Sequence, residues 1–167
     1  LGLLPGVEDR TLAVAAHSCT AFEGAVCDTI GVVGALGIAK HFSEIPVEQR
    51  KKSILFFFNS FHVWGNCCQT AISVIDRNKT LTDKLDALIW LDHIGDGKAD
   101  SFKETAVSDN AVVWPLTALT QLKYKIPPVV LPKAQIWAVC VTGAFQRLGI
   151  PTITMQDMND FTLTPED

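Results

Sequence analysis

Six residues, Ser53 to Phe58 (SILFFF), constrain this chain more than any other segment. The run is apolar without alternation, so a strand built from it must be covered on both faces. Strands of that kind stand in the middle of an α/β sheet. Thr11–Ala16 (TLAVAA) and Ala87–Asp92 (ALIWLD) read as two further buried strands, and Thr152–Met155 as another behind Gly149-Ile150-Pro151. Helical patterns separate them. In Asp28–Phe42, Ile30, Val33, Gly34, Gly37, Ile38 and Phe42 recur near helical spacing and Asp28 is placed to cap the start. Asn66–Asp76 and Ser108–Lys123 are also predicted helices, the latter with Pro115 near its first turn. Strand and helix in alternation predict an α/β sheet with helices on both faces.

The remaining segments say less. Leu1–Asp9 reads as a loop around Pro5 and Gly6, and Pro46–Lys52 as a charged surface loop. Pro127–Leu131 fits a short strand, while Pro132–Arg147 is ambiguous between strand and helix. Gly31, Gly34 and Gly37 lie three apart in the first helix. Each costs about 1 kcal/mol against Ala there, so close approach of that helix to the sheet is the expected return.

The 167 residues suit one domain spanning 1–167. A 48% hydrophobic, 19% charged composition excludes intrinsic disorder. Fourteen Lys and Arg against 18 Asp and Glu leave a net charge of −4, which argues against a nucleic-acid partner. Cys19, Cys27, Cys67, Cys68 and Cys140 are odd in number and two are vicinal, so they read as buried thiols rather than a disulfide framework. That usage suits a reducing compartment, although it does not settle where the protein resides. No apolar run is long enough to span a bilayer. The chain opens on Leu1, and we expect it to be a piece of something longer, shortened at both ends.

Motif searches are mostly negative. There is no P-loop, no G-x-G-x-x-G fingerprint, no G-x-S-x-G elbow and no Cys-x-x-Cys pair. Asn78-Lys79-Thr80 is a glycosylation sequon, relevant only to an exported chain. Chemistry is therefore sought at the carboxyl ends of the strands, where α/β sheets bind ligands. His17 ends the first strand, Asp92 ends the third, and His62 lies just past SILFFF. Histidine and aspartate delivered to one edge by different strands suit a metal or acid–base site. Taken singly, each residue is better explained by a structural role. His41 is expected on the helix surface, and His93 away from the Asp92 face.

The order of these segments resembles the co-catalytic zinc aminopeptidases, the family of bacterial leucyl aminopeptidase and aminopeptidase Y, with glutaminyl cyclase and the transferrin receptor as relatives. The resemblance runs from Leu4 to Asp167. It rests on TLAVAAH against a strand ending in His-x-Asp, and on GAVCDTIGV (Gly24–Val32) against G-A-D-D-x-x-x-G-V. It rests also on SILFFFNSFHVWG (Ser53–Gly65) leading into E-E-x-G, and on ALIWLDHIG (Ala87–Gly95) ending in Asp. RLGIPTITM (Arg147–Met155) matches a late G-I-P strand, and LTPED (Leu163–Asp167) matches H-T-P-E-D. The fold it implies is a three-layer α/β sandwich, a mixed, mostly parallel sheet between helices.

The resemblance also implies a site with two zinc ions bridged by an aspartate and a water, where the metals polarise the peptide carbonyl and a glutamate accepts a proton. Carried over position by position, most of that equipment is absent. The first metal histidine matches His17 and the third-strand aspartate matches Asp92. The aspartate that orients the histidine falls on Cys19 and the bridging aspartate on Val26. The general base falls on His62, the metal glutamate on Val63 and the last histidine on Leu163. Valine and leucine offer no lone pair, and a catalytic zinc takes three protein ligands. The resemblance therefore implies a catalytically inactive peptidase-like domain acting as a binding or scaffolding module, with a protein partner or flanking domains and no required cofactor. The alternative is a hydrolase with an altered site. It would use one zinc held by His17, Asp92 and either Cys27 or His62, or a metal-free pair of Cys19 or Cys27 with His62.

Overall fold

The computed structural model describes residues 1–18, 24, 29–59, 67–92, 94, 102–107, 112–124, 130–131 and 141–158. Among them are seven strands. They are β1 (Gly2–Leu4), β2 (Thr11–His17), β3 (Ser53–Asn59), β4 (Leu85–Asp92), β5 (Phe102–Val107), β6 (Val130–Leu131) and β7 (Thr152–Met158). They form one sheet in the order β1-β3-β2-β4-β7-β5-β6. Pairing is antiparallel for β1 with β3 and for β5 with β7, and parallel in the other four ladders. The sheet is thus mixed and mostly parallel.

Helices α1 (Ile30–Ser43), α2 (Cys67–Arg77), α3 (Lys79–Thr82), α4 (Val113–Lys123) and α5 (Val141–Arg147) complete the described elements. One sheet face presents Ala13, Ala15, Leu55, Phe57, Leu88 and Trp90 to Ala71 of α2 and to Val141, Ala144 and Phe145 of α5. The opposite face presents Val14, Ala16, Ile54, Phe56 and Leu91 to Ala35, Ile38 and Phe42 of α1. The continuous apolar runs of β2, β3 and β4 are explained by this double cover. Successive side chains point to opposite faces, and both faces are dry.

Several expectations change in detail. Gly2–Leu4 is not loop but an edge strand, because its backbone pairs with Ile54–Phe56 of β3. Pro46–Lys52 contains one 3-10 turn at Val47–Gln49, following Pro46. β5, with Lys103 and Glu104 in it, was masked in the sequence by its polarity; its register is supplied by β7. The ambiguous stretch is helical over Val141–Arg147. α1 starts at Ile30 with Thr29 at the N-cap position, and Asp28 lies outside the described residues. Close approach holds for Gly34, where a Cβ would sit 3.2 Å from Ile94 Cδ1, but not for Gly37, where it would meet nothing within 4 Å.

One irregularity governs the site. Thr11 pairs with Leu85, but Leu12 pairs with Ala87, leaving Asp86 as an extra residue in β4. A bulge of this kind shifts every later residue by one position and so exchanges the two faces.

Candidate functional site at the carboxyl edge of β2 and β4

The chain leaves β2 for α1 on one face of the sheet, whereas α2 and α5, which precede β4 and β7, lie on the other. The winding changes direction between β2 and β4, and that is where an α/β sheet opens a crevice at its carboxyl edge. His17 and Asp92 stand there as the last residues of the two strands. After the bulge, Ala16 pairs with Leu91, so the next pair brings Asp92 beside His17. His17 Nε2 and Asp92 Oδ1 are 3.1 Å apart in a hydrogen bond. The imidazole is fully buried and stacks against Trp90, ring centroids 6.3 Å apart and planes 21° apart.

Asn59 joins them. It ends β3, pairs in register with His17, and is 1% exposed. Its backbone carbonyl accepts the Ser18 amide at 2.8 Å, while neither atom of its side-chain amide has a hydrogen-bond partner among the described residues. Buried polar atoms are normally satisfied, so this amide marks a polar spot within the crevice. Sequence reasoning stopped the strand at Phe58 and missed Asn59. The available signal was the first polar residue after five apolar ones.

The other candidate residues fall elsewhere. His41 is exposed on α1, its ring edge-on to Phe42 at 5.2 Å. His62, His93, Cys19, Cys27, Cys140, Val26, Val63 and Leu163 lie outside the described residues. Cys67 and Cys68 open α2. Asn78 of the sequon donates its amide to the Val74 carbonyl at 2.9 Å, closing the end of α2.

The chain matches solved structures throughout its length. A zinc aminopeptidase from Bacillus subtilis superposes with a TM-score of 0.79 at 17% identity over 99% of this chain and 43% of that one. The chain has a zinc-aminopeptidase-like fold. An aminopeptidase from Aneurinibacillus sp. strain AM-1 gives 0.78 at 15% identity, over 99% of this chain and 40% of its own. Glutaminyl cyclase of Porphyromonas gingivalis gives 0.66 at 17% identity, covering 94% and 63%. No protein-family model and no curated protein matches the sequence. The aminopeptidase-like chain spans less than half the length of the aminopeptidases it superposes on.

Whether the described residues suit a zinc ion is a question of donor count and spacing. Zinc bonds of about 2.0–2.2 Å set tetrahedral ligand atoms about 3.4 Å apart. The 3.1 Å between His17 Nε2 and Asp92 Oδ1 is near that edge length. The number of donors is the obstacle. Among the described residues no group of three His, Cys, Asp or Glu side chains converges, and a catalytic zinc takes three. The described donor set therefore does not fit a catalytic zinc by itself.

Proposed function

We propose that this is a catalytically inactive peptidase-like domain that serves as a binding or scaffolding module. The observation that carries the reading is the His17–Asp92 hydrogen bond. The imidazole nitrogen and carboxylate oxygen that would face a metal are bonded to each other in a buried setting. The sequence supports it, since the positions matching the remaining family ligands read Val26, Val63 and Leu163. Apolar replacements remove the cost of unpaired buried carboxylates. The partner is a protein surface or a flanking domain.

A hydrolase with a reduced metal site is the second reading, favoured by the ligand-like 3.1 Å spacing alone. One experiment separates the two. The chain is loaded with zinc, dialysed, and assayed for bound metal and for release of p-nitroaniline from aminoacyl anilides. We expect no stoichiometric zinc and no turnover above buffer. Zinc-dependent turnover that disappears in His17→Ala and Asp92→Ala would overturn the inactive reading.

A further inference from the structure

Three adjacent strands end on buried polar residues: β3 on Asn59, β2 on His17 and β4 on Asp92. Side chains alternate along a strand. Asn59 follows Leu55 and Phe57, His17 follows Ala13 and Ala15, and Asp92 follows Leu88 and Trp90, all on the sheet face toward α2 and α5. The three polar groups therefore form one row at the carboxyl edge, neighbouring strands being about 4.8 Å apart. His17 and Asp92 are bonded to each other. The Asn59 amide is different. Neither Oδ1 nor Nδ2 has a hydrogen-bond partner among the described residues, and the residue is 1% exposed. Asn59 matches none of the ligand or base positions carried over from the zinc aminopeptidases, so the resemblance gives it no task.

A buried amide without partners is costly, and a leucine of similar size would avoid the cost. At the winding reversal of an α/β sheet, where ligands bind, such a group has a use: the ligand supplies the missing bonds. The amide also selects that ligand. Oδ1 accepts and Nδ2 donates along one edge of the same plane. An N–H lying beside a C=O answers both, closing a pair of hydrogen bonds. Primary carboxamides, lactams and imides present such an edge. A peptide bond does not, because its trans geometry points N–H and C=O to opposite sides. Ions are disfavoured as well, since an uncharged amide cannot offset a charge taken out of water.

We propose that Asn59 recognises a neutral ligand carrying a cis-amide edge, held at the carboxyl edge of the sheet beside His17. The source that fits a protein partner is the primary carboxamide of an asparagine or glutamine side chain; a ring lactam or imide carries the same chemistry. The proposal rests on the binding-module reading, because it gives the crevice a ligand in place of a reaction.

The test titrates the nitrogen-15-labelled chain with propionamide, succinimide, N-methylacetamide and acetate, following the Asn59 side-chain NH2 resonance, which is assigned by its loss in Asn59→Leu. Propionamide is expected to shift it saturably. N-methylacetamide, which is trans and makes one of the two bonds, should bind about tenfold more weakly, and acetate should not bind. Succinimide binding more tightly than propionamide would assign the site to ring ligands and uphold the chemistry. Asn59→Leu should abolish the response and raise the melting temperature by about 2–4 °C, the unsatisfied amide being gone. No saturable shift with either cis-amide probe overturns the proposal, as does N-methylacetamide binding as tightly as propionamide. A lowered melting temperature in Asn59→Leu also overturns it, since the amide would then be bonded within the fold. Failure of the probes without zinc-dependent turnover strikes this proposal alone, whereas zinc-dependent turnover strikes the binding-module reading.

Discussion

His17 and Asp92 are 75 positions apart in the chain and 3.1 Å apart at the edge of the sheet, Nε2 to Oδ1. Their meeting depends on the bulge at Asp86. Were Asp86 paired with Leu12 in regular parallel register, Leu91, not Asp92, would stand beside His17. The bulge at the amino ends of the strands thus decides which side chain faces the histidine at the carboxyl ends. Asp86 is held where it bulges: Arg10 Nε donates to Oδ1 at 2.7 Å, and Lys52 Nζ donates to Oδ2.

Deleting Asp86 should therefore spare the distant edge. With the extra residue gone Leu85 runs directly into Ala87, Leu12 still meets Ala87, and Asp92 stays beside His17. The variant loses the carboxylate that Arg10 and Lys52 hold, yet should still unfold cooperatively. Loss of a cooperative thermal transition would show that the bulge itself, and not only the register beyond it, is needed by the sheet.

Removing one partner of the pair has a smaller, calculable cost. Asp92→Ala removes the buried hydrogen bond to His17 Nε2 and should cost about 2–3 kcal/mol in chemical denaturation. Asp92→Asn keeps an oxygen in reach and should cost about 1 kcal/mol. Equal losses for the two substitutions would show that packing, not the hydrogen bond, is being measured.

The amino end of β4 carries a pH dependence. Burial acts to raise the Asp86 carboxyl, but the hydrogen bonds and charges of Arg10 and Lys52 outweigh it and hold the group below its ordinary 3.8. A depressed folded-state pKa contributes stability that is complete above the unfolded value and is lost as pH falls through the folded one. The cluster is partly exposed, so Asp86→Asn should cost up to about 1 kcal/mol at pH 7. The gap between variant and wild type should close as the solution is acidified below pH 4. Urea midpoints of both proteins across that range measure it, and a constant gap would assign the loss to geometry rather than charge.

The parts of this fold that sequence reveals are those whose cause is local. β2, β3 and β4 are continuous apolar runs because both faces are covered, and α1 shows its period because only one of its sides meets the sheet. β1 and β5 are different. Gly2–Leu4 is three residues beside a proline, and Phe102–Val107 is half polar; each becomes a strand only because β3 or β7 offers it a ladder. The site divides in the same way. His17 and Asp92 were legible as polar residues closing apolar strands, but their contact required the bulge, which no pattern in LDALIWLD betrays. α4 is the sharpest case. Its apolar period was read correctly as a helix, yet the leucines it counts point outward.

Core packing gives a further prediction. Phe57 of β3 and Phe145 of α5 are buried with rings stacked at 5.8 Å and 28°. Phe57→Ala should cost about 3–5 kcal/mol, because the sheet and helix cannot collapse onto the vacated space. A double-mutant cycle with Phe145→Ala should return a coupling of about 0.5–1.5 kcal/mol. Strict additivity would mean that the two rings do not share one cavity.

Two glycines should respond with opposite sign to the same methyl group. At Gly6, a Cβ would lie 2.3 Å from the Lys52 carbonyl carbon, a backbone atom that cannot swing away, and the Gly6 amide donates to Ser53 Oγ at 3.1 Å. Gly6→Ala must push the first strand off β3 and should destabilise by about 1–3 kcal/mol. At Gly37, inside α1, the added atom meets nothing within 4 Å. Alanine there restricts the unfolded chain and favours the helix, for a gain of about 0.5–1 kcal/mol. Denaturation midpoints of the two variants moving in opposite directions would confirm that α1 owes nothing to Gly37 by way of close approach. A destabilised Gly37→Ala would reveal a neighbour packed on that side of the helix.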